Sequence, residues 1–148
     1  MTRLCVLAAF VLALLAPVPL NAEPGRNDAR PGASDCFDAD NERRITGCSD
    51  LLQTENLAPD VAALAYATRA LAFSLKGDYD KAIPDYDRAL RINPYFAVAL
   101  NNRAWALYKS GRTDAGMTDI QRALALQPDS PHALDTRAHI HQSQGKAA

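Results

Sequence analysis

The chain has 148 residues, with 16 Lys and Arg against 17 Asp and Glu for a formal charge of −1. That balance, with no basic block anywhere, removes the electrostatic footing that nucleic acid or an acidic surface would need. The length suits one small domain, and no composition bias marks it as fibrous or membrane-embedded.

Met1 to Ala22 reads as a secretory signal. Arg3 supplies the positive start, Leu4 to Leu15 is apolar, and Pro17 and Pro19 precede Leu20-Asn21-Ala22, after which cleavage is expected. The competing reading is an uncleaved anchor. Against it, the unbroken apolar run is shorter than the ~18–20 residues of a span, and Glu23-Pro24-Gly25 follows in place of a positive cluster. The expected location is periplasmic or secreted, with membrane contact only through an uncleaved signal.

Removal of the signal takes Cys5 with it and leaves Cys36 and Cys48. An even number of cysteines in an exported chain points to a disulfide, with two unpaired thiols as the alternative. One helix running through both would hold them about 18 Å apart, while a disulfide needs Cα atoms within about 7 Å. Cys36 is therefore expected in a loop that doubles back along a helix starting near Asp40, with Asp38, Asp40 or Asn41 as its cap. The spacing is not the Cys-x-x-Cys of a redox pair.

Residues 23–35 hold two Pro-Gly pairs and no apolar period, the composition of a flexible linker. Residues 36–62 form an N-terminal cap whose helix, Asn41 to Leu57, carries Ile45, Cys48, Leu51 and Leu52 at helical spacing.

From Ala63 to Ser130 the chain repeats itself with a period of 34. Arg69-Ala70 falls on Arg103-Ala104, Gly77 on Gly111, Asp85 on Asp119, Arg88-Ala89-Leu90 on Arg122-Ala123-Leu124, and Pro94 on Pro128. Arg137-Ala138 and Gly145 continue the register. Such a period, with a small residue in mid-helix, Gly at the turn and Pro at the close, marks stacked helix pairs. The first unit, 63–96, is expected as Val61 to Lys76 capped by Asp60, then a return helix from Asp78 or Tyr79 to Ile92. Pro84 should displace or kink the start of that return helix. The second unit, 97–130, runs Phe96 to Ser110 and Asp114 to Leu126, with Gly116 allowing close backbone approach. Pro131 opens a terminal helix within 131–148, with Ala133, Leu134, Ala138 and His141 on its apolar side and Asp135, Thr136, Gln142 and Gln144 on its polar side. Six helices, three pairs, result.

Tyr66, Arg69-Ala70, Phe73, Ala82, Tyr86 and Pro94, answered by Leu100, Arg103-Ala104, Leu107, Gly116, Ile120 and Pro128, resemble the tetratricopeptide repeat pattern. Arg69 and Arg103 depart from it where Leu is usual. The resemblance implies an all-α, right-handed superhelical solenoid. Exported bacterial proteins with this repeat also resemble the first helix, where two Cys flank an Arg-Arg-Ile step. A subset of the family binds C-terminal carboxylates through an Asn and several basic residues. Asn102 stands at the Asn place, but the basic places hold no Lys or Arg, which argues against that mode.

Arg69, Arg103 and Arg137 recur on first helices at an inward position, and Asp85 and Asp119 recur on second helices. A buried guanidinium must be paired, so Arg–Asp pairs between helices are expected; the functional alternative is a row of Arg gripping an anionic ligand. No nucleophile–base set, Gly-rich phosphate loop or Cys-x-x-Cys metal spacing stands out, and neither an enzyme nor a cofactor is expected. His132, Asp135 and His139 share one face of the last helix, a set that could ligate a metal; the plainer account is a solvated terminal helix.

The resemblance implies that first helices line a concave groove. Leu64, Ala67, Leu71 and Leu75 from the first unit, and Val98, Asn101, Trp105, Tyr108 and Lys109 from the second, are the residues left to face it. Leu71, Leu75, Asn101, Asn102, Trp105, Tyr108 and Lys109 form the candidate peptide-binding set, with aromatic anchors and an amide to fix a backbone. The alternative for Trp105 is simple packing between first helices. The expected function is a non-catalytic module that binds another protein's peptide segment. A self-associating envelope subunit, a homo-oligomer, is the alternative.

Overall fold

The computed structural model describes residues 32–145. The signal (1–22), most of the linker and the last three residues lie outside that range.

Seven helices and no strand make up the described residues: α1 (Ala33–Cys36), α2 (Asn41–Leu52), α3 (Pro59–Leu75), α4 (Tyr79–Ile92), α5 (Ala97–Lys109), α6 (Thr113–Leu126) and α7 (Pro131–Ser143). They stack in chain order as helix pairs, α1 with α2, α3 with α4 and α5 with α6, and α7 closes the row. The interior is built mainly from alanines, among them Ala70, Ala72, Ala82, Ala89, Ala104 and Ala106, all fully buried. Small residues at the crossing points let helix axes approach to about 8 Å. Tyr86, Leu100, Ile120 and Ile140 fill what remains, each fully enclosed.

Local chemistry sets the boundaries. Asp40 caps α2, its side chain accepting from the Arg43 amide at 2.9 Å. α3 begins two residues before the expected Val61. Pro59 is its first residue, with the φ of a helix start already fixed, and Ala58 rather than Asp60 is the cap. Gly77 and Gly111 end α3 and α5 with φ of 82° and 81°, backbone that a side chain would strain. Pro84 lies on the exposed face of α4, which runs unbroken from Tyr79. α4 and α6 stop at Asn93 and Gln127, where the following Pro pushes each residue toward extended backbone.

The N-terminal end differs from expectation in two ways. α2 stops at Leu52, not Leu57, and the chain turns through Asn56 in a left-handed conformation (φ 55°). Cys36 ends a one-turn helix rather than lying in a loop. That turn doubles back on α2 as the geometry requires, and Cys36 and Cys48 are joined by a disulfide with Cα atoms 4.2 Å apart. Gly47 makes the approach feasible: a Cβ there would stand 2.4 Å from the Cys36 amide nitrogen. Gly116 has the same role between α5 and α6, where a Cβ would meet the Ala104 carbonyl oxygen at 2.8 Å.

Candidate functional site

The first helices approach one another, α3 with α5 and α5 with α7, whereas no Cα of α4 comes within 8 Å of a Cα of α6. The first helices therefore form the inner, crowded row of the stack, and their unpacked side chains share one surface.

Arg69 and Arg103 are part-buried beside that surface, and each makes three hydrogen bonds to neighbouring helices. Arg69 donates through Nε and Nη2 to both Asp85 oxygens at 2.7 and 2.9 Å, and through Nη1 to Ser49 Oγ at 2.9 Å. Arg103 repeats this on Asp119 at 2.6 and 2.7 Å, with Nη1 on Asp87 at 2.6 Å. Asp85 and Asp119 are buried. Burial alone would lower the pKa of Arg103, and the bonds to Asp119 and Asp87 more than reverse it. Each Arg thus ties its own second helix to the preceding one, and all three of its nitrogens are committed to these internal partners. The 34-residue register does not reveal the third partners, Ser49 and Asp87, because they lie on the preceding second helix, outside the unit.

On the inner surface of α5, helical spacing brings Asn101, Trp105, Tyr108 and Lys109 to one side. The Trp105 and Tyr108 rings tilt against each other with centroids 5.5 Å apart, and His139 of α7 meets Trp105 edge-on at 5.4 Å. Lys109 Nζ lies 5.7 Å from the Trp105 centroid, within cation–π range. Trp105 and Tyr108 are half-buried, so Trp105 both packs against α7 and keeps part of its ring open.

One turn earlier is a small cavity of about 80 Å³. Val98, Asn101 and Asn102 of α5 line it together with Gln127, Ser130 and His132. Asn101 donates to Asn102 Oδ1 at 3.2 Å, and its own Oδ1 is enclosed without a partner. Beneath Asn102, the Tyr86 hydroxyl is also sealed and makes no hydrogen bond of good geometry. Burial raises its pKa, against the weaker pull of its polar neighbours Ser74 and Asn102.

Of the sequence-derived set, Asn101, Asn102, Trp105, Tyr108 and Lys109 come together on α5. Leu71 is half-buried on α3 and Leu75 is 62 % exposed at its end; neither takes part in the aromatic cluster or the cavity. The His132–Asp135–His139 set is not assembled as a metal site. Among the described residues no three His, Cys, Asp or Glu side chains gather in that way, because His132 turns to the Asn cavity and His139 to Trp105, reaching Asp135 only at 3.7 Å. Both histidines are instead residues of the inner surface, legible in principle by placing α7 as a third first helix.

Comparison with known proteins agrees with the helical-repeat fold. The family model described as "Tetratricopeptide repeat" matches residues 63–96, and a second model of the same description matches 97–130. No curated protein sequence matches the chain. Among solved structures, the first TPR of Spaghetti (RPAP3) bound to the HSP90 peptide SRMEEVD superposes with a TM-score of 0.68 at 18 % identity, over 78 % of this chain and 88 % of that one. The Arabidopsis OM64 TPR domain does so with a TM-score of 0.66 at 18 % identity, over 76 % and 90 %. The chain therefore carries two tetratricopeptide repeats, residues 63–96 and 97–130, within an all-α helical-repeat solenoid.

Proposed function

We propose that the inner surface of α5 and α7 holds a peptide segment of a partner protein, and that the chain does so as an adaptor without chemistry of its own. The observation that carries this reading is the pairing of a half-open Trp105–Tyr108–His139 cluster with a cavity one turn away that Asn101 and Asn102 line. An aromatic cluster of this kind suits an apolar anchor, and the half-buried Asn101 and Asn102 side chains beside it offer amide groups to a peptide backbone. The peptide held by the Spaghetti domain supports the same use of a related fold. The acidic end of that peptide is not the expected cargo, because Asn102 has no Lys or Arg at the neighbouring basic places.

We place the module outside the cytosol. The apolar start of the sequence and the Cys36–Cys48 bond support this reading. Selection of a displayed random-peptide library on the full chain tests the groove. Peptides that bind the native chain should lose about tenfold or more in affinity on Trp105→Ala. Enriched peptides that bind native chain, Trp105→Ala and Asn101→Ala alike would refute it. Concentration-dependent mass in light scattering would favour a self-associating subunit instead.

A further inference from the structure

The 34-residue register assigns a job to each side of a first helix. On α5, Ala99, Asn102 and Ala106 face the preceding unit, while Leu100, Arg103, Ala104 and Leu107 receive α6. Applied to α7, the register matches the first group to Ala133, Thr136 and Ile140 and the second to Leu134, Arg137, Ala138 and His141. Burial splits along the same line except at His141, which is half-buried with its Nδ1 enclosed. Ala133, Thr136 and Ile140 are at most 4 % exposed. Leu134 is 39 % exposed, and Arg137 and Ala138 are exposed, although their counterparts Leu100 and Ala104 are fully buried. The sides read from sequence hold for Ala133, which is inside, and for Asp135 and Gln142, which are outside, but Thr136 is inside, its hydroxyl donating to the His132 carbonyl at 2.9 Å, and Leu134 and Ala138 are outside. Among the described residues Arg137 makes no ion pair, unlike Arg69 and Arg103. Gly145 ends α7 with φ 67°, the turn that Gly77 and Gly111 make before a return helix.

We infer that this outer face of α7 is a second docking site, which takes one amphipathic helix of a partner protein in the position that α4 and α6 occupy in the earlier units. The chain itself states the chemistry of that helix. Both internal occupants present a small residue, an Asp three positions on and a bulky apolar residue next to it: Ala82, Asp85 and Tyr86 in α4, and Gly116, Asp119 and Ile120 in α6. The small residue meets the helix where Gly116 meets Ala104, the carboxylate takes the Arg, and the apolar side chain fills the space beside the Ala. Ala138 offers the same shallow seat, Arg137 the same guanidinium, and Leu134 the same apolar wall. This site lies on the opposite side of α7 from the His132 and Trp105 contacts, and it stands whether or not the inner surface binds a peptide.

The test uses the full chain and a fluorescein-labelled synthetic peptide copied from residues 112–127, which carries Gly116, Asp119 and Ile120. Saturable anisotropy change is expected, weakened about tenfold by Arg137→Ala and abolished by Ala138→Trp. Trp105→Ala should leave it unchanged. A peptide carrying Asp119→Arg should bind Arg137→Asp better than the native chain, a rescue that nonspecific sticking would not give. Circular dichroism of Ala138→Trp should match the native chain, because the position is exposed. No saturable binding, or equal binding to Ala138→Trp, overturns the inference. Dimerisation of the unliganded chain that Ala138→Trp abolishes overturns the choice of a foreign helix and gives the face to a second copy.

Discussion

The two ends of the stack meet the same problem differently. At the N-terminal end the first member of a helix pair is a single turn, α1, too short to bury much surface. A covalent bond replaces the missing contact: Cys36–Cys48 clamps the turn onto α2, Gly47 lets it lie flush, and Arg44 donates to the Asp38 carbonyl at 3.0 and 2.8 Å. At the C-terminal end α7 is a full 13-residue helix with one side packed and the other exposed. A repeat array is stable only when its terminal apolar faces are covered or made polar. Among the described residues one end is sealed from within, and the other leaves a partly apolar face and an Arg137 that makes no ion pair.

The largest effect should come from unsealing the closed end. Cys36→Ser with Cys48→Ser, or reduction of the native chain, should remove about 3 kcal/mol by the loop-entropy argument, read by urea unfolding. Hydrogen exchange should show protection lost first over 33–52; uniform loss across α3–α6 would mean that the clamp supports more than its own end. Next come the Arg–Asp ties that only the inner units possess. Asp119→Ala should cost about 2–3 kcal/mol, because Arg103 is 18 % exposed and keeps Asp87. Arg137→Ala should leave the thermal midpoint unchanged. Equal losses from the two would mean that Arg137 has a partner after all.

A smaller effect sharpens the comparison from the packing side. Gly47→Ala and Gly116→Ala each drive a methyl into backbone and should cost about 1–3 kcal/mol, with Gly47→Ala also slowing disulfide re-formation. The smallest concerns the middle of the stack. Tyr86 is held neutral by burial, with its pKa above the ordinary 10.0. Its contribution is complete below that pH and is lost as pH rises toward the folded value. Above pH 10 the native chain should lose stability faster than Tyr86→Phe; parallel curves would show that the phenol ionises freely.

Much of this was legible because the repeat ties distant residues to one register. The pairs Arg69–Asp85 and Arg103–Asp119, the glycine turns and the close approach at Gly116 all follow from the 34-residue spacing and the cost of an unpaired buried charge. What was missed depends on tertiary placement or on a local signal outweighed by periodicity. The helix expected to reach Leu57 stops at Leu52 and the chain turns at Asn56, a residue that tolerates left-handed backbone; Leu57 already falls off the stripe of Ile45, Cys48, Leu51 and Leu52. α1 has no period at all, since the disulfide holds it. An amphipathic reading of α7 expects Ala138 inside and Thr136 outside, and packing against α5 and α6 reverses both. The inner surface was only half legible: spacing gathers the α5 residues, but His132 and His139 reach it across a helix boundary, and two histidines seven apart on one helix suggest a metal before they suggest a wall.

The central functional claim is that α5 and α7 together form the surface a partner's peptide occupies. Side-chain-resolved NMR of the full chain, titrated with a library-selected peptide, tests it most directly. The Trp105 indole N–H and the Asn101 and Asn102 side-chain amides should shift together and saturate at one peptide concentration, with His139 ring signals following. Shifts confined to α2, or to the outer surfaces of α4 and α6, with the Trp105 and Asn101 signals unmoved, would contradict it.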